Sequence, residues 1–588
     1  MSDLGPYPVD PNSPASHTHA PDSGTNSPQE HDWIATLSDS IEAWLFALCS
    51  SRIKALMALL LFALVCFLPG FNSIPPVDRD EARFAQASKQ MMESGDYIDI
   101  RFQDSTRYKK PVGIYWLQVL SAKATGMNEE APIWVYRLPS LAGAILSVGL
   151  TFLIGLRMSS VRVGFLAGIG MAAAILLGVE ARLAKTDAML LATILAVQWL
   201  IWELYDRKEG LTKGQGILLW CAFSLSVLIK GPIILIVSGA TIVLLSILER
   251  SIAWLKGTGW KYGVPLFLVL TLPWFIIIGI HTDWAFYFDA VGTDMLGKVA
   301  TGKESHGAPP GTYLGASIGT FWPTSVFFIL SIVWIWKERK SKAVLFALCW
   351  ILPSWILFEL VPTKLPHYVL PLMPAMAILT AHALQARATS WNSLWGKILA
   401  LLVPIAAILL GLGAPIGLAV IEGIINPAAM GLGLVATGLA LLAYAIFKRG
   451  RVMASFVLTC LVAPVLYLSL HGTVFPEFRS VWISNQMVEA VERVKPCESV
   501  EVASAGYSEP SLVFLMGTDT VMTTAARTAD FLLEAGCRVA IVEKSEEKRF
   551  LERIAKKEGA VENIHQFTGY KLNGGDWQSF GLYRLKMQ

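Results

Sequence analysis

Long apolar runs separated by short polar connections dominate the chain. A membrane-spanning helix needs about 20 mostly apolar residues, and runs of this kind recur from residue 53 to residue 470. The pattern therefore predicts a polytopic α-helical membrane protein. Two neighbouring runs abut directly, so the predicted number of spans varies by one or two. About thirteen spans are predicted, near residues 53–71, 133–156, 163–179, 188–204, 215–229, 231–248, 262–281, 318–336, 343–361, 368–385, 396–420, 428–447 and 452–470.

Basic residues mark one face of this predicted bundle. Lysine and arginine collect in the cytoplasmic connections of membrane proteins. Here they fill alternate connections, from Arg52 and Lys54 before the first span to Arg449 and Arg451 before the last. The predicted N-terminus is therefore cytoplasmic. With an odd number of spans, residues 471–588 are predicted to lie outside.

The segments outside the spans give three further predictions. Residues 1–52 are predicted to be a disordered cytoplasmic tail and lead-in, because residues 1–32 are polar and rich in proline and serine. The transmembrane domain is predicted to cover 53–470. Its two long outer loops, about 72–132 and 282–317, contain the aromatic stretches Ala82–Met92 and Trp284–Leu296, which predict interfacial helices.

The last segment, 471–588, alternates strand and helix patterns and predicts a small periplasmic α/β domain. It contains no glycine-rich nucleotide motif. The predicted elements are helices at Gln486–Arg493 and Glu546–Glu558, strands at Ser499–Ala503 and Val539–Val542, and a helix or strand at Ser511–Met516.

Composition agrees with a membrane protein. Hydrophobic residues make up 54% of the 588 residues and charged residues only 16%, against roughly 25% charged in a soluble protein. The net charge of +3 gives no reason to expect nucleic-acid binding. Five cysteines lie in or beside apolar runs, but Cys497 and Cys537 lie in the polar last segment. Those two could form a disulfide in an oxidising compartment.

Several acidic residues are predicted to lie at the outer membrane boundary, where a charged side chain requires a structural or functional explanation. Asp78, Asp80 and Glu81 follow the first span in PPVDRDEARF, and Asp187 stands in AKTDAML at the start of another apolar run. Each of these acids could have a purely structural role at a helix N-terminus, where acids cap and stabilise the first turn. Two such acids at one membrane level favour a shared site instead.

Cations accompany the acids at this level. Each alone could be a lysine that extends to the interface from a span end. Together they form what an anionic lipid headgroup requires. The cations are Lys109 and Lys110 in RYKKPVGIYW, Arg182 and Lys185 near Asp187, Lys230 in VLIKGPI, and Lys364 in TKLPHYVLP.

The stretch DRDEARFAQASKQMMESGDYIDIRFQDSTRYKKPVGIYW resembles the first outer loop of the bacterial lipid A aminoarabinose transferases. These enzymes are relatives of the protein O-mannosyltransferases and share the membrane glycosyltransferase C fold (GT-C). Further matches follow in family order: RLAKTDAML, LIKGP, HGAPPGTYL and KLPHYVLPLMPA. The resemblance covers about residues 53–385. The last segment shows no motif that matches the family.

The resemblance implies a role for individual residues. Asp80, Glu81 and Asp187 match the catalytic acids. Lys298 stands where the family usually has an arginine, in the loop that covers the site, and this departure leaves the sugar open. The implied binding residues are Arg83, Lys110, Lys230 and Tyr368 at the carrier phosphate, Tyr108 beside it, and His306 with Lys298 in the covering loop.

The implied reaction is transfer of a sugar from a polyprenyl (undecaprenyl) phosphate to an outer-face acceptor, with inversion at the anomeric carbon. Lipid A or lipopolysaccharide is the expected acceptor and the bacterial inner membrane the expected location. A protein O-mannosyltransferase-like enzyme with a serine or threonine acceptor is the alternative, and a lipid transporter or flippase is a remote one. No cofactor is expected. A divalent metal is possible beside the carboxylates but is not favoured, since the cationic cluster makes it unnecessary.

Overall fold

The structure is a computed structural model that describes residues 32–207, 209–290, 292, 307–494, 497, 499–572 and 574–586. Within these residues, eight helices are long and apolar enough to cross a membrane. The prediction of a multi-pass helical membrane protein is thus confirmed. The eight are Ile133–Met158, Asp187–Asp206, Trp260–His281, Lys342–Leu360, Pro366–Gln385, Leu394–Glu422, Pro427–Lys448 and Val452–Glu477.

The other predicted spans coincide with shorter or broken helices. The 163–179 run is divided between two helices, and the 318–336 run breaks at the cis peptide bond before Pro323. Proline lacks an amide hydrogen and interrupts the helical ladder. These helices are Arg52–Phe67, Val161–Ala172, Ile175–Glu180, Lys213–Lys230, Ala240–Leu248 with the π-helical turn Leu235–Gly239 before it, Thr312–Thr320 and Thr324–Lys337.

The tail predicted to be disordered, residues 1–32, lies outside the described residues except for Asp32. The lead-in that follows it forms the helix Trp33–Leu48, which was not predicted. Its axis lies at 116° to that of the next helix, Arg52–Phe67. Ile34 and Leu45 are buried on one side of it, and this spacing of apolar residues is that of an amphipathic helix. Its acids pair with basic loop residues, for example Asp39 with Arg451 at 3.0 Å between oxygen and nitrogen. The prediction overlooked this periodicity because the polar residues of the preceding tail dominated the composition.

The first outer loop contains helices Asp80–Ser94 and Gly113–Ala124, which flank a short hairpin of strands β1 (Arg101–Phe102) and β2 (Ser105–Thr106). Asp80–Ser94, called the first-loop helix below, includes the predicted stretch 82–92. In the second loop, the described residues include the helical turn Ala285–Tyr287 and the start of helix Thr312–Thr320. The remainder of the predicted stretch 284–296 lies mostly outside the described residues.

The last segment folds around a five-stranded sheet. The strands are β3 (Glu501–Ala505), β4 (Val521–Thr523), β5 (Arg538–Glu543), β6 (Val561–Lys571) and β7 (Asp576–Leu585). Their order is β4-β3-β5-β7-β6; β3 runs parallel to β4 and β5, and β7 runs antiparallel to β5 and β6. The flanking helices are Ile483–Val494, Pro510–Met516, Ala525–Leu533 and Lys544–Lys556.

The elements anticipated in this segment are thus present, and 511–516 is helical. Strands β4, β6 and β7 were not anticipated. Strand β6 is polar on both faces for most of its length, so it lacks the alternation that marks a strand. Cys497 and Cys537 form a disulfide, with their Cα atoms 6.4 Å apart.

A glycine sets the distance between the spans that begin at residues 133 and 187. A Cβ at Gly143 would lie 2.6 Å from the Cα of Met189, two residues after Asp187. We expect Gly143→Ala to force the helices apart, at a cost of about 1–3 kcal/mol, and to lower the unfolding temperature in detergent. Gly149→Ala on the same helix is the control, because its nearest neighbour is a leucine methyl at 3.7 Å. Equal unfolding temperatures for the two variants would contradict this account.

Candidate active site

A cavity of about 510 Å³ opens between the first outer loop and the ends of several membrane helices. One part of it is apolar and is lined by side chains such as Phe223, Phe267 and Leu357. The other part is strongly charged. Its charged and polar lining consists of Asp80, Arg107, Lys109, Lys110, Lys185, Thr186, Asp187, Lys230, Thr363, His367 and Tyr368.

Asp80 begins the first-loop helix and faces this cavity. The residue before it, Arg79, has a φ of 65° and occupies the N-cap position without a side-chain cap bond. Asp80 therefore does not cap the helix. Enclosure by protein opposes its ionisation, but the charges of Lys185, Arg107, His367 and Arg83 together hold the pKa of Asp80 below its ordinary value. The carboxylate is ionised at neutral pH.

Asp187 also lines the cavity, at the start of helix Asp187–Asp206. Its side chain is buried and accepts a hydrogen bond from Lys230 Nζ at 2.5 Å. Lys230 ends helix Lys213–Lys230 and lies 5.8 Å from the ring centre of Tyr368. Three separate helical segments thus bring an acid, a cation and an aromatic ring together, and the acid fixes the position of the cation.

A second layer of charge lies behind Asp187. Glu180 is buried and its Oε1 lies 3.4 Å from Lys185 Nζ and 3.8 Å from His367 Nδ1. His367 Nε2 is 4.0 Å from an oxygen of Asp187. The neighbouring acids Glu180, Asp187 and Asp80 together raise the pKa of Lys185 despite its burial. The site therefore contains alternating acids and cations.

Glu180, Asp187 and His367 each offer one ligand atom within 4.8 Å of the others, a spacing that could hold a metal ion. Lysines contact both carboxylates, Lys185 that of Glu180 and Lys230 that of Asp187. A divalent ion would have to displace these ammonium groups.

Glu81 does not face the cavity, in contrast to the catalytic role that its motif implied. It is 1% exposed and its carboxylate binds Arg137 at 2.7 and 3.0 Å. It also accepts hydrogen bonds from the backbone nitrogens of Val77 and Ala184, each at 2.8 Å. Glu81 therefore joins the helix that begins at Asp80 to the connection that leads into Asp187.

The structure brings most of the predicted residues to one place. Asp80, Asp187, Lys110, Lys230 and Tyr368 line the cavity. Arg83 and Tyr108 lie just outside the lining: the charge of Arg83 acts on Asp80, and the ring of Tyr108 packs edge-on against Phe286, which does line it, at 5.6 Å.

Lys298 and His306 lie outside the described residues. The chain just after them meets the cavity rim, since Gly307 pairs with Thr363. Two predicted cations serve the framework instead of the site. Lys364 donates to the carbonyls of Glu359 and Val361 at a helix end, and Arg182 donates to the carbonyl of Pro69 at 2.7 Å.

Sequence reasoning missed Arg107, Glu180 and His367 as members of the site. Arg107 and His367 stand inside segments that were already singled out, RYKKPVGIYW and KLPHYVLP, so the same motifs contained the signal. Glu180 ends the short helix Ile175–Glu180 at the close of an apolar run. A carboxylate in that position is an intramembrane ionisable residue, which is itself a pointer to function.

The fold and the cavity define a class: a multi-pass helical membrane protein with one partly apolar, partly charged cavity beside its first outer loop. Comparisons with known proteins are consistent with that class and confirm the resemblance inferred from the sequence. A family model described as dolichyl-phosphate-mannose-protein mannosyltransferase matches residues 109–277.

Curated relatives include undecaprenyl phosphate-α-4-amino-4-deoxy-L-arabinose arabinosyl transferases. The one from Erwinia tasmaniensis is 27% identical over 312 residues, which cover 52% of this chain and 54% of the relative. One from Pseudomonas fluorescens is 26% identical over 355 residues, covering 57% and 62%. The chain thus matches little more than half the length of these relatives.

The solved structure of ArnT from Cupriavidus metallidurans bound to undecaprenyl phosphate superposes with a TM-score of 0.69 at 18% identity. The match covers 90% of this chain and 97% of that chain. The overall fold of this protein is therefore that of ArnT.

The ion pair between Glu81 and Arg137 gives a testable expectation. Breaking a buried pair by removing one partner costs roughly 3–5 kcal/mol, because the other charge stays buried and uncompensated. We expect Glu81→Gln and Arg137→Gln each to lower the unfolding temperature strongly, while the double variant loses less than the sum. A double-mutant cycle of unfolding free energies measures the coupling. Strictly additive losses would show that the two side chains do not depend on each other.

Proposed function

We propose that this chain is a membrane glycosyltransferase that moves a sugar from an undecaprenyl phosphate carrier to an acceptor on the periplasmic face. Lipid A or lipopolysaccharide is the favoured acceptor. The observation that carries the proposal is the single cavity that joins an apolar part to a cluster of four lysines and an arginine around two carboxylates. The curated relatives named above act, by name, with the same kind of carrier.

The division of the cavity fits a polyprenyl phosphate. Its apolar part would receive the first isoprene units, because burial of apolar surface is favourable. Lys110, Lys230 and Arg107 would bind the phosphate by charge-assisted hydrogen bonds. Residues 53–470 would form the transmembrane domain, with about thirteen spans if the short and broken helices also cross.

The proposed topology places the N-terminus in the cytoplasm and residues 471–588 in the periplasm. Two observations support it. The basic residues Arg387, Arg449 and Arg451 meet the acidic face of helix Trp33–Leu48 at one end of the bundle. The last segment contacts the first outer loop, which carries Asp80, and it contains a disulfide of the kind that oxidising compartments maintain.

In the proposed reaction, the bond between the anomeric carbon and the phosphate oxygen breaks, and its electron pair stays on the phosphate. The acceptor oxygen forms the new bond from the opposite face of the sugar. The phosphate gains negative charge as this happens, so Lys110, Lys230 and Arg107 would stabilise the transition state more than the ground state.

The two acids would then have separate tasks. Asp187, paired with Lys230, would fix that lysine at the phosphate. Asp80 lies in the cavity with a lowered pKa, which makes it a weak base, so orienting the sugar through its hydroxyl or amino groups suits it well. A phosphate acceptor needs no base, so this role for Asp80 is compatible with a lipid A phosphate as the acceptor.

A serine or threonine acceptor is the second candidate. The observation in its favour is the match of residues 109–277 to a protein mannosyltransferase family model. For a hydroxyl acceptor, Asp80 would be the general base that takes the acceptor proton.

Asp80→Asn tests the function directly. We expect lipid A from cells with this variant, or with the gene deleted, to lack a sugar-sized mass that wild-type cells carry. Mass spectrometry of extracted lipid A measures it. Asp104→Asn, an exposed acid of the same loop, is the control and should keep the modification. Immunoblots of membranes verify insertion of each variant.

Other outcomes of this comparison would redirect or end the proposal. Unchanged lipid A in the deletion, with a mass lost from periplasmic glycoproteins, would favour the protein acceptor. Unchanged glycans of both kinds, with accumulation of a lipid on one face of the membrane, would point to a transporter and overturn the glycosyltransferase.

The electrostatics of Asp80 predict a pH dependence. Cations lower its pKa, so the acidic limb of kcat/KM that Asp80 causes lies below the ordinary aspartate range. Lys185→Gln removes the cation with the largest effect on Asp80, so it should raise this pKa and shift the limb to higher pH. Lys89→Gln, on the first-loop helix and paired with Glu93, should leave the limb in place. A limb that stays in place in both variants would exclude this role of Lys185.

A further inference from the structure

Helix Pro510–Met516 of the last segment, called the docking helix below, lies against the first-loop helix. Its Phe514 is buried, 5% exposed, among residues of the outer loop and the membrane domain. The ring packs edge-on against Tyr136 at 5.6 Å. The pocket is formed by Ala85, Ala122, Ala131, Ile133, Val135, Tyr136 and Ala184.

These pocket residues belong to the segments that build the site. Ala85 is one turn beyond Glu81 on the first-loop helix, and Tyr136 precedes Arg137. Ala184 precedes Lys185 and gives its backbone nitrogen to Glu81. Phe514 therefore packs between the elements that the Glu81–Arg137 pair joins, and it is not one of the residues that line the cavity.

A polar rim surrounds this contact. The Gln103 amide donates to the carbonyls of Thr518 and Thr520 at 2.8 and 2.7 Å. Gln86 donates to Thr518 Oγ1 at 2.7 Å, and this hydroxyl donates to Glu93 at 2.7 Å. Three polar side chains of the first outer loop thus recognise the two threonines that follow the docking helix.

The contact extends almost to Asp80. Ser511 donates to Asp78, two residues before Asp80, and also bonds Ser484 at 2.6 Å. Burial raises the pKa of Asp78 to about 6, with Glu509 raising it further and Ser511, Lys571 and Arg79 opposing. The last segment therefore contacts the start of the first-loop helix two residues before Asp80.

We infer that the docking helix, through Phe514 and Ser511 and together with Thr518 just after it, is a positioning element of the cavity: it holds the start of the first-loop helix and the 181–187 connection at the separation that sugar transfer requires. This inference rests on the proposed function for its effect on turnover. It gives the last segment, which has no matched motif, a task in the site.

Phe514→Ala is the first test, with Phe531→Ala as its control. Phe531 is an aromatic side chain of the same segment that stacks with Arg538 and does not join the pocket. We expect Phe514→Ala to increase amide hydrogen exchange in 80–94 and 181–187 and to lower kcat at least tenfold, with a smaller change in KM for an undecaprenyl phosphate-linked aminoarabinose donor and lipid A acceptor. Phe531→Ala should change neither quantity, and Phe514→Leu should restore most of both.

A covalent tether separates docking from folding. The side chains of Asp78 and Ser511 are joined by a hydrogen bond, so we expect the pair Asp78→Cys and Ser511→Cys to be linked by oxidation. Added to Phe514→Ala, the oxidised pair should lower the hydrogen exchange again and recover kcat, and it should do neither when reduced. Phe514→Ala alone, oxidised and reduced in the same way, controls for the Cys497–Cys537 bond.

The possible outcomes distinguish failure of this inference from failure of the proposed function. Unchanged hydrogen exchange in 80–94 and 181–187 of the folded Phe514→Ala protein overturns the inference. Increased exchange with unchanged kcat also overturns it, because the site would then not depend on the contact. If wild type transfers no sugar to any acceptor, the proposed function fails. The exchange data with and without the tether then still decide whether the docking helix positions these segments.

Discussion

The buried ion pair between Arg137 and Glu81 is the interaction on which the cavity depends. Two charges leave water at a cost that their attraction offsets only when every remaining donor and acceptor is satisfied. Arg137 uses all five guanidinium N–H groups, on Glu81 and on the carbonyls of residues 71, 74 and 75. Glu81 also receives two backbone N–H groups. Four chain segments thus meet in one hydrogen-bonded network. Asp80 directly precedes Glu81 in this network, and Asp187 follows three residues after Ala184.

The sequence predicted the membrane class and the acids. It could not show which acid lines the cavity and which one only holds the fold together. Asp80 and Glu81 are adjacent in one motif, yet a helix points neighbouring side chains about 100° apart, so only one of them reaches the cavity. Arg137 lay inside the apolar run IWVYRLPSL, where a lone arginine demands a buried partner. The need for a partner could be read from the sequence. The identity of the partner, 56 residues away, follows only from packing.

The other differences between the predicted and the observed structure also arise from packing that the sequence does not show. Composition and length identify apolar runs, but they do not show that the 318–336 run breaks before Pro323 or that the chain bends by 116° between helices Trp33–Leu48 and Arg52–Phe67. The helix Trp33–Leu48 carried its own periodicity, although the polar tail before it dominated the composition. Phe514 stands in an unremarkable stretch, SLVFLM, and its importance comes from a pocket whose walls are drawn from residues 85 to 184. Long-range contacts of this kind leave no local pattern.

The arrangement of charge also constrains how the cavity can work. Acids and cations alternate from Glu180 through Lys185 and Asp187 to Lys230, so the framework itself is close to neutral. The cations Lys109, Lys110 and Arg107 are added at the cavity wall, next to the apolar part. In the proposed function, an anion that enters there meets these three cations beside Asp80, and the ion pairs of Glu180 and Asp187 stay in place. A neutral ligand would gain less from these cations, so a phosphate on an apolar chain is the ligand that we propose for this cavity.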